Sequence, residues 1–299
     1  MQASQAIELS QAIQPTQVIQ PELVEEARRL RRAFPPGLFG PLRFVITNQK
    51  GGQGKTTTTV ELGAEFAASG RRVRLIDCDP QFAALTSWLL PQWAAAEQAA
   101  RFDLSHVLSG TDPVPIDQAT WPTSVENLYI VPSFKTVGGF DRLSPPGADF
   151  ALREALDESG EHFDVTLIDC PPNLGQLTVS AITAGDDVII PVLPGALDLM
   201  GVSDLNQTLA LVKKRLNSSL NVAAVLLRRV RRTSFGEAVE RQLLADYPEA
   251  IFQVIRHSVR AEEAPNEHTT ILEYAPEATT TADYRELAYR LDERKAAEL

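Results

Sequence analysis

Cysteine is scarce in this chain, long apolar runs are missing, and there is no overall excess of positive charge. The two cysteines, Cys78 and Cys170, each follow an aspartate at the end of an apolar run. They read as small core residues in a reducing cytosol. The longest apolar stretches fall well short of the roughly 20 residues needed to cross a bilayer. The first residues lack the basic start and apolar core of a secretory signal, so a cytoplasmic location is expected. No internal repeat is visible. The formal net charge of −11 would by itself disfavour a polyanionic partner. What is present is ordinary for a globular chain: 299 residues, 44% hydrophobic and 22% charged, enough for one large domain with appendages.

The most informative segment is Asn48-Gln49-Lys50-Gly51-Gly52-Gln53-Gly54-Lys55-Thr56-Thr57. It follows the apolar run Phe44-Val45-Ile46, which reads as a buried strand. It precedes residues 60–67, which have helical spacing and stop near Gly70. Strand, glycine-rich turn and helix together make a phosphate loop. Its glycines let successive backbone N–H groups converge on one anion, and the helix N-terminus adds partial positive charge. Gly51, Gly52, Gln53, Gly54, Lys55, Thr56 and Thr57 are the expected nucleotide-binding residues. Lys55 would reach the β- and γ-phosphates, and the Thr56 hydroxyl would ligate Mg²⁺.

Two further runs carry carboxylates. Residues 73–77 lead into Asp77-Cys78-Asp79-Pro80-Gln81, and residues 163–168 into Asp169-Cys170-Pro171-Pro172. Each reads as a parallel strand with an aspartate at its C-terminal end, where ligands bind in open α/β sheets. Single aspartates in such places often cap helices or turns. Three motif segments in this order point instead to one site.

The loop departs from G-x-x-x-x-G-K-[ST] by placing Gln49 where glycine is usual, and it adds a second lysine, Lys50. That pattern, K-G-G-x-G-K-[ST], resembles the deviant Walker A loop of the ParA/MinD family of dimeric P-loop ATPases. The resemblance spans roughly residues 42–290. It implies an ATPase that uses ATP and Mg²⁺, with Lys50, Lys55 and Asp79 as catalytic residues. Lys50 would cross a homodimer interface to the partner's nucleotide. Asp169 would hold Mg²⁺ through water, Asp79 would orient the attacking water, and Asp77 would support the same edge. The nitrogenase iron protein is a relative with a cysteine-held cluster, but neither cysteine here lies where that cluster would need it.

The chain alternates predicted strands and helices. After the switch-like segment 81–90 and a less regular acidic stretch to about 126, strands are expected at 128–132, 187–192, 222–227 and 252–255. Helices are expected at 149–159, 177–182, 204–216, 234–244 and 282–297, with a turn over 173–176. This predicts an α/β fold: a mostly parallel, doubly wound sheet with helices on both faces. Residues 1–41 form a separate extension, a leader low in charge followed by a helix at 22–34, and residues 42–299 form the ATPase domain. Leu23, Ala27, Leu30 and Phe34 give that helix an apolar stripe, suited either to packing on its own domain or to a partner.

Positive charge is concentrated between residues 211 and 260, where ten Lys or Arg face four Asp or Glu. That surplus of six leaves −17 for the other residues. Arg228-Arg229-Val230-Arg231-Arg232-Thr233-Ser234-Phe235-Gly236 resembles the family's stretch ending R-T-x-x-G, and residues 259–265 resemble its V-R-x-x-E-A-P. The resemblance implies non-specific DNA binding through Arg232 and Arg260, with Arg229 and Arg231 beside them. An arginine row tracks phosphates and displaces counterions. The alternative is a solvated or internally paired cationic face. Two departures bear on this. Ile255-Arg256-His257-Ser258 stands where family members often carry I-P-x-N near the adenine, and Leu227 leads directly into the arginines.

The C-terminal helix mixes both charge signs and lacks a bulky apolar terminus, which disfavours membrane insertion. The expected function is therefore a nucleoid-associated, ParA-type partition ATPase. It would dimerise on ATP, bind DNA and be released when a ParB-like adaptor stimulates hydrolysis. A MinD-like membrane-cycling regulator, a nucleoid-based positioner of a protein cargo, an ATP-dependent small-molecule enzyme and an assembly factor are the alternatives.

Overall fold

The computed structural model describes residues 37–38, 40–81, 83–91, 101–228 and 234–298. The helix expected at 22–34 and the leader before it lie outside them, as do Arg229, Arg231 and Arg232. Eight short runs form one sheet: β1 (Leu42–Ile46), β2 (Val73–Asp77), β3 (Trp121–Pro122), β4 (Leu128–Val131), β5 (Val165–Asp169), β6 (Asp187–Val192), β7 (Asn221–Arg228) and β8 (Ile251–Ile255). Their spatial order is β3-β4-β2-β5-β1-β6-β7-β8. All pairs are parallel except β3 with β4.

Strands buried on both faces read as nearly continuous apolar runs, and every residue of β2 and β5 is buried. Their period of two feeds two cores. Phe44, Ile46, Leu75 and Leu167 point to one side, and Val45, Ile76 and Ile168 to the other. The first core is covered by α1 (Lys55–Ala68), α2 (Ala84–Leu89) and α11 (Thr279–Ala297). The second is covered by α3 (Leu104–Val107), α4 (Gly138–Leu143), α5 (Ala151–Asp157), α6 (Gln176–Ala184), α7 (Ala196–Arg215) and α8 (Ser234–Asp246). Two short helices, α9 (Val259–Glu263) and α10 (Ile271–Tyr274), link β8 to α11. The structure thus has the α/β, doubly wound architecture that the alternation of elements predicts.

The short helices α2, α9 and α10 carry no sequence expectation, and three further features differ from it. Helix α7 begins eight residues before Asp204, just after Pro194-Gly195. Helix α4 is new, its helical pattern being hidden by two leading glycines. The edge strand β3 is two residues long and ends in proline, which cannot donate to a further strand and so closes the sheet edge.

The closing helix packs on the core, as its mixed charge suggests. Tyr284, Leu287 and Leu291 are buried against α1 and the sheet. Arg71 donates two hydrogen bonds to Asp292, at 2.6 and 2.9 Å, and Lys295 meets Asp187 at 2.5 Å. Among the described residues no helix is long and apolar enough to cross a membrane.

Candidate nucleotide site

The parallel register brings the carboxylates together. Asp77 and Asp169 are direct partners across β2 and β5, and Ile46 of β1 pairs with Asp169 on the other side. The chain leaves β1 for β2 beyond β5, and later reaches β6 on the opposite side of β1. The loop after β1 therefore sits where the strand order reverses, at the C-terminal edge of the sheet, the usual crevice for ligands in this architecture.

That loop is tied to the end of β6. Asn48 Nδ2 donates to the Pro191 carbonyl at 2.8 Å, and Asn48 Oδ1 accepts from the Lys50 amide at 3.1 Å. Gln53 Oε1 accepts from the Leu193 amide at 2.7 Å. The Gln53 side chain is thus a buried anchor, so Gln53 can offer a ligand its backbone and not its amide group. Gly52 and Gly54 have φ of 73° and 84°, left-handed conformations that glycine alone adopts without strain. Helix α1 starts directly after Gly54 with no side-chain cap, leaving its first N–H groups to a ligand.

A cavity of about 540 Å³ opens over the loop. Gly51, Gly52, Gly54, Lys55, Thr56, Thr57 and Asp79 form one wall, and residues 255–258 of the departed I-P-x-N segment face them. Lys55 is buried and donates to the Lys50 carbonyl at 3.1 Å. Burial lowers its pKa, outweighing the neighbouring charges of Asp169 and Asp79 that raise it. The Thr56 hydroxyl donates to Asp169 Oδ2 at 2.7 Å. Asp169 Oδ1 is buried without a hydrogen-bond partner. Burial, then the neighbouring charge of Asp77, pushes the Asp169 carboxyl up to about 8. An orphaned carboxylate oxygen beside a hydroxyl is a donor set that suits a hard cation. Among the described residues no cluster of three His, Cys, Asp or Glu could hold a metal alone, so such a cation would complete its shell with phosphate oxygens and water.

Asp77 is less a ligand than a strut. It is fully buried; Oδ2 accepts from Thr86 N at 2.9 Å and Thr86 Oγ1 at 2.6 Å, and Oδ1 accepts from Asp79 N at 3.0 Å. It therefore holds both Asp79 and the start of α2. Asp79 is half-buried at the cavity wall and accepts from the Gln81 amide at 2.9 Å. Helix α2 is clasped in turn to the segment before α10: Trp88 Nε1 donates to the Thr269 carbonyl at 2.8 Å, and His268 Nδ1 lies 3.2 Å from the Trp88 carbonyl. The sequence signals neither of the Trp88 contacts, because each joins residues 180 or more positions apart. Both cysteines are buried thiols, Cys78 in the core and Cys170 on the cavity wall, where burial pushes it up to about 12.

The basic segment is not uniformly a surface. Arg256 is neutralised by Asp283, with contacts as short as 2.6 Å, and Arg228 is buried beside the phosphate loop. Arg260 is largely exposed, 3.4 Å from Glu263 and above the Tyr274 ring.

The sequence profile of a family described as an AAA domain matches residues 43–222. The sporulation initiation inhibitor protein Soj of Bacillus subtilis is 39% identical over 249 residues, covering 82% of this chain and 96% of that protein. The chromosome partitioning protein ParA of Caulobacter vibrioides is 35% identical over 262 residues, covering 85% of this chain and 96% of that protein. Cobyrinic acid a,c-diamide synthase from Mycobacterium smegmatis, solved with an ATP analog and magnesium, superposes with a TM-score of 0.68. It is 30% identical and covers 83% of this chain and 92% of that one. With its glycine loop, paired strand-end aspartates and these relatives, the chain belongs to the Soj/ParA family of P-loop ATPases.

Proposed function

We propose that this chain is a DNA-partition switch that hydrolyses ATP, dimerises on ATP, and holds DNA only in that dimer. The observation that carries the nucleotide half is the 2.7 Å hydrogen bond from Thr56 to Asp169, whose Oδ1 is orphaned, beside the glycine loop. Thr56 and, through water, Asp169 would hold Mg²⁺, which supplies charge neutralisation at the β- and γ-phosphate oxygens. Gly51, Gly52, Gln53, Gly54, Thr56 and Thr57 surround the phosphates with backbone N–H groups and hydroxyls, and Lys55 adds charge. Asp79 orients the attacking water.

Lys50 is half-buried and is not one of the residues walling its own cavity. That supports a role across the dimer interface, where it would act on the partner's phosphates as an arginine finger does. Arg260 is exposed, and with Arg229, Arg231 and Arg232 it would form the DNA-holding row. Two copies brought together double the local field and make DNA affinity depend on ATP. The packing of α11 on the core favours DNA over a membrane surface as the polyanion. A ParB-like adaptor on a chromosome, plasmid or protein cargo would stimulate hydrolysis and release the dimer into a cytoplasmic pool.

The experiment is DNA retention of the purified chain with ATP, ADP or no nucleotide, at low and moderate salt. Retention with ATP alone, weakened by salt and by Arg232→Ala or Arg260→Ala, is the expected outcome. Equal retention in all three states, or none, refutes the DNA switch.

A further inference from the structure

The departure at the end of β7, where Leu227 runs directly into arginines, places a cation where the sequence motifs assign none. Arg228 is the last residue of β7, and its side chain is on the α1 face, as are those of Ala224 and Leu226. It is 8% exposed. Its Nη1 donates to the Gln53 carbonyl at 3.2 Å, and the guanidinium lies against Gly54, in space that any side chain at that position would occupy. Its Nε is buried with no hydrogen-bond partner, and among the described residues no carboxylate forms an ion pair with it. The neighbouring Arg256, by contrast, is fully engaged by Asp283.

A buried guanidinium answered only by a peptide carbonyl is poorly compensated. Here it forms part of the wall of the cavity that also holds Lys55, Thr56 and Thr57. The ligand for which that loop is shaped is itself a polyanion. We propose that Arg228 is a nucleotide-binding residue whose guanidinium contacts the polyphosphate in cis, a second cation beside Lys55. Gly54 then has two duties, a left-handed turn and room for Arg228. The inference rests on the phosphate-loop reading above and extends it to a residue outside the three nucleotide motifs.

The planar fork suits phosphate oxygens better than an ammonium does. Losing one charge-assisted contact corresponds to an affinity change of about tenfold or more. The test is the affinity of wild type, Arg228→Ala, Arg228→Gln, Arg228→Lys and Lys55→Ala for Mg-ADP, with thermal melting of each with and without Mg-ADP. Arg228→Gln keeps a donor for the Gln53 carbonyl but no charge. A phosphate contact predicts that Ala and Gln both bind Mg-ADP about tenfold or more weakly, with Lys between them and wild type. It also predicts that, without nucleotide, Arg228→Gln melts no lower than wild type yet gains less on adding Mg-ADP. Affinity within twofold of wild type in Arg228→Gln overturns the proposal and makes the Gln53 contact the residue's role. Tighter binding in Arg228→Ala overturns it too, because the guanidinium would then obstruct the site. If wild type and Lys55→Ala bind Mg-ADP equally, or wild type does not bind, the phosphate-loop reading itself fails, an outcome distinct from either.

Discussion

Replacing Asp77 by asparagine isolates what holds the switch segment. The carboxylate receives three donors, Asp79 N, Thr86 N and Thr86 Oγ1, all within 3.0 Å. Asparagine has one carbonyl oxygen, so its amide must face at least one of those donors. Losing one hydrogen bond to a charged acceptor costs about 1.5–3 kcal/mol. Against this stands the desolvated charge. Burial lifts Asp77 from 3.8 to about 6, with its hydrogen bonds to Thr86 and Asp79 opposing the shift. A shift of that size is unfavourable by roughly 3 kcal/mol at neutral pH. The two effects nearly cancel there, so near pH 7 and above Asp77→Asn is expected to fold about as stably as wild type.

Their pH dependence differs. Between about pH 4 and 6 the folded chain keeps the Asp77 proton that the unfolded chain has lost, so this carboxyl's contribution to stability falls as pH rises through that window. Asparagine has no such dependence. From pH 5 to 8 the balance should therefore move toward Asp77→Asn by on the order of 1 kcal/mol. Asp169, whose pKa is also raised by the Asp77 charge, adds to the same trend. Urea unfolding of both proteins without nucleotide at pH 5, 6.5 and 8 measures it. Parallel stability curves would refute the argument that a desolvated charge sits at this strut. Asp77→Ala, which orphans all the donors, should cost about 3–5 kcal/mol at pH 5 and, by the same linkage, on the order of 1 kcal/mol less at pH 8.

Other perturbations probe separate parts of the molecule. Lys50→Ala should bind nucleotide but lose ATP-dependent dimerisation or stimulated turnover, as read by sedimentation and phosphate release; full stimulated turnover would end the trans assignment. Glu61, buried in α1 and accepting from the Ile271 and Leu272 amides, is lifted to about 8 by burial. The folded chain therefore holds a proton that the unfolded chain loses above about pH 4.5, and stability should fall with rising pH up to about 8. Glu61→Gln should flatten the decline in melting temperature between pH 6 and 9, and an unchanged slope counts against it. Trp88→Phe removes the donor to the Thr269 carbonyl, costing about 1 kcal/mol. Amide exchange at residues 269–272 should quicken, and unaltered exchange would show that the clasp is dispensable.

The phosphate loop, both strand-end aspartates and the alternation of elements are local signals, so they are legible along the chain. Spacing fixes which residues share a strand face, and Val73–Asp77 and Val165–Asp169 both end on the expected aspartates, the second strand starting two residues after the run's first residue, Phe163. Less legible were segments whose conformation is set by neighbours. Helix α7 runs past Gly201 into a stretch with no clear amphipathic stripe, and β3 exists only because β4 offers it an edge. The charge count over residues 211–260 also overstated the surface, since pairing to Asp283, distant in sequence, neutralises Arg256.

By itself, then, the sequence determined the class of fold, the glycine loop and the identity of its lysines and hydroxyl. Those depend on backbone dihedrals and side-chain chemistry within a few residues. The family resemblance implied separate duties for Asp77 and Asp79, and only the tertiary structure supplied their physical basis: register across the sheet and burial make Asp77 a strut and leave Asp79 on the cavity wall. The tertiary structure likewise decided that Arg228 enters the nucleotide cavity while Arg256 is spent on Asp283. A guanidinium's role is set by which opposite charge lies within reach, and that is a distance in space that sequence separation does not encode.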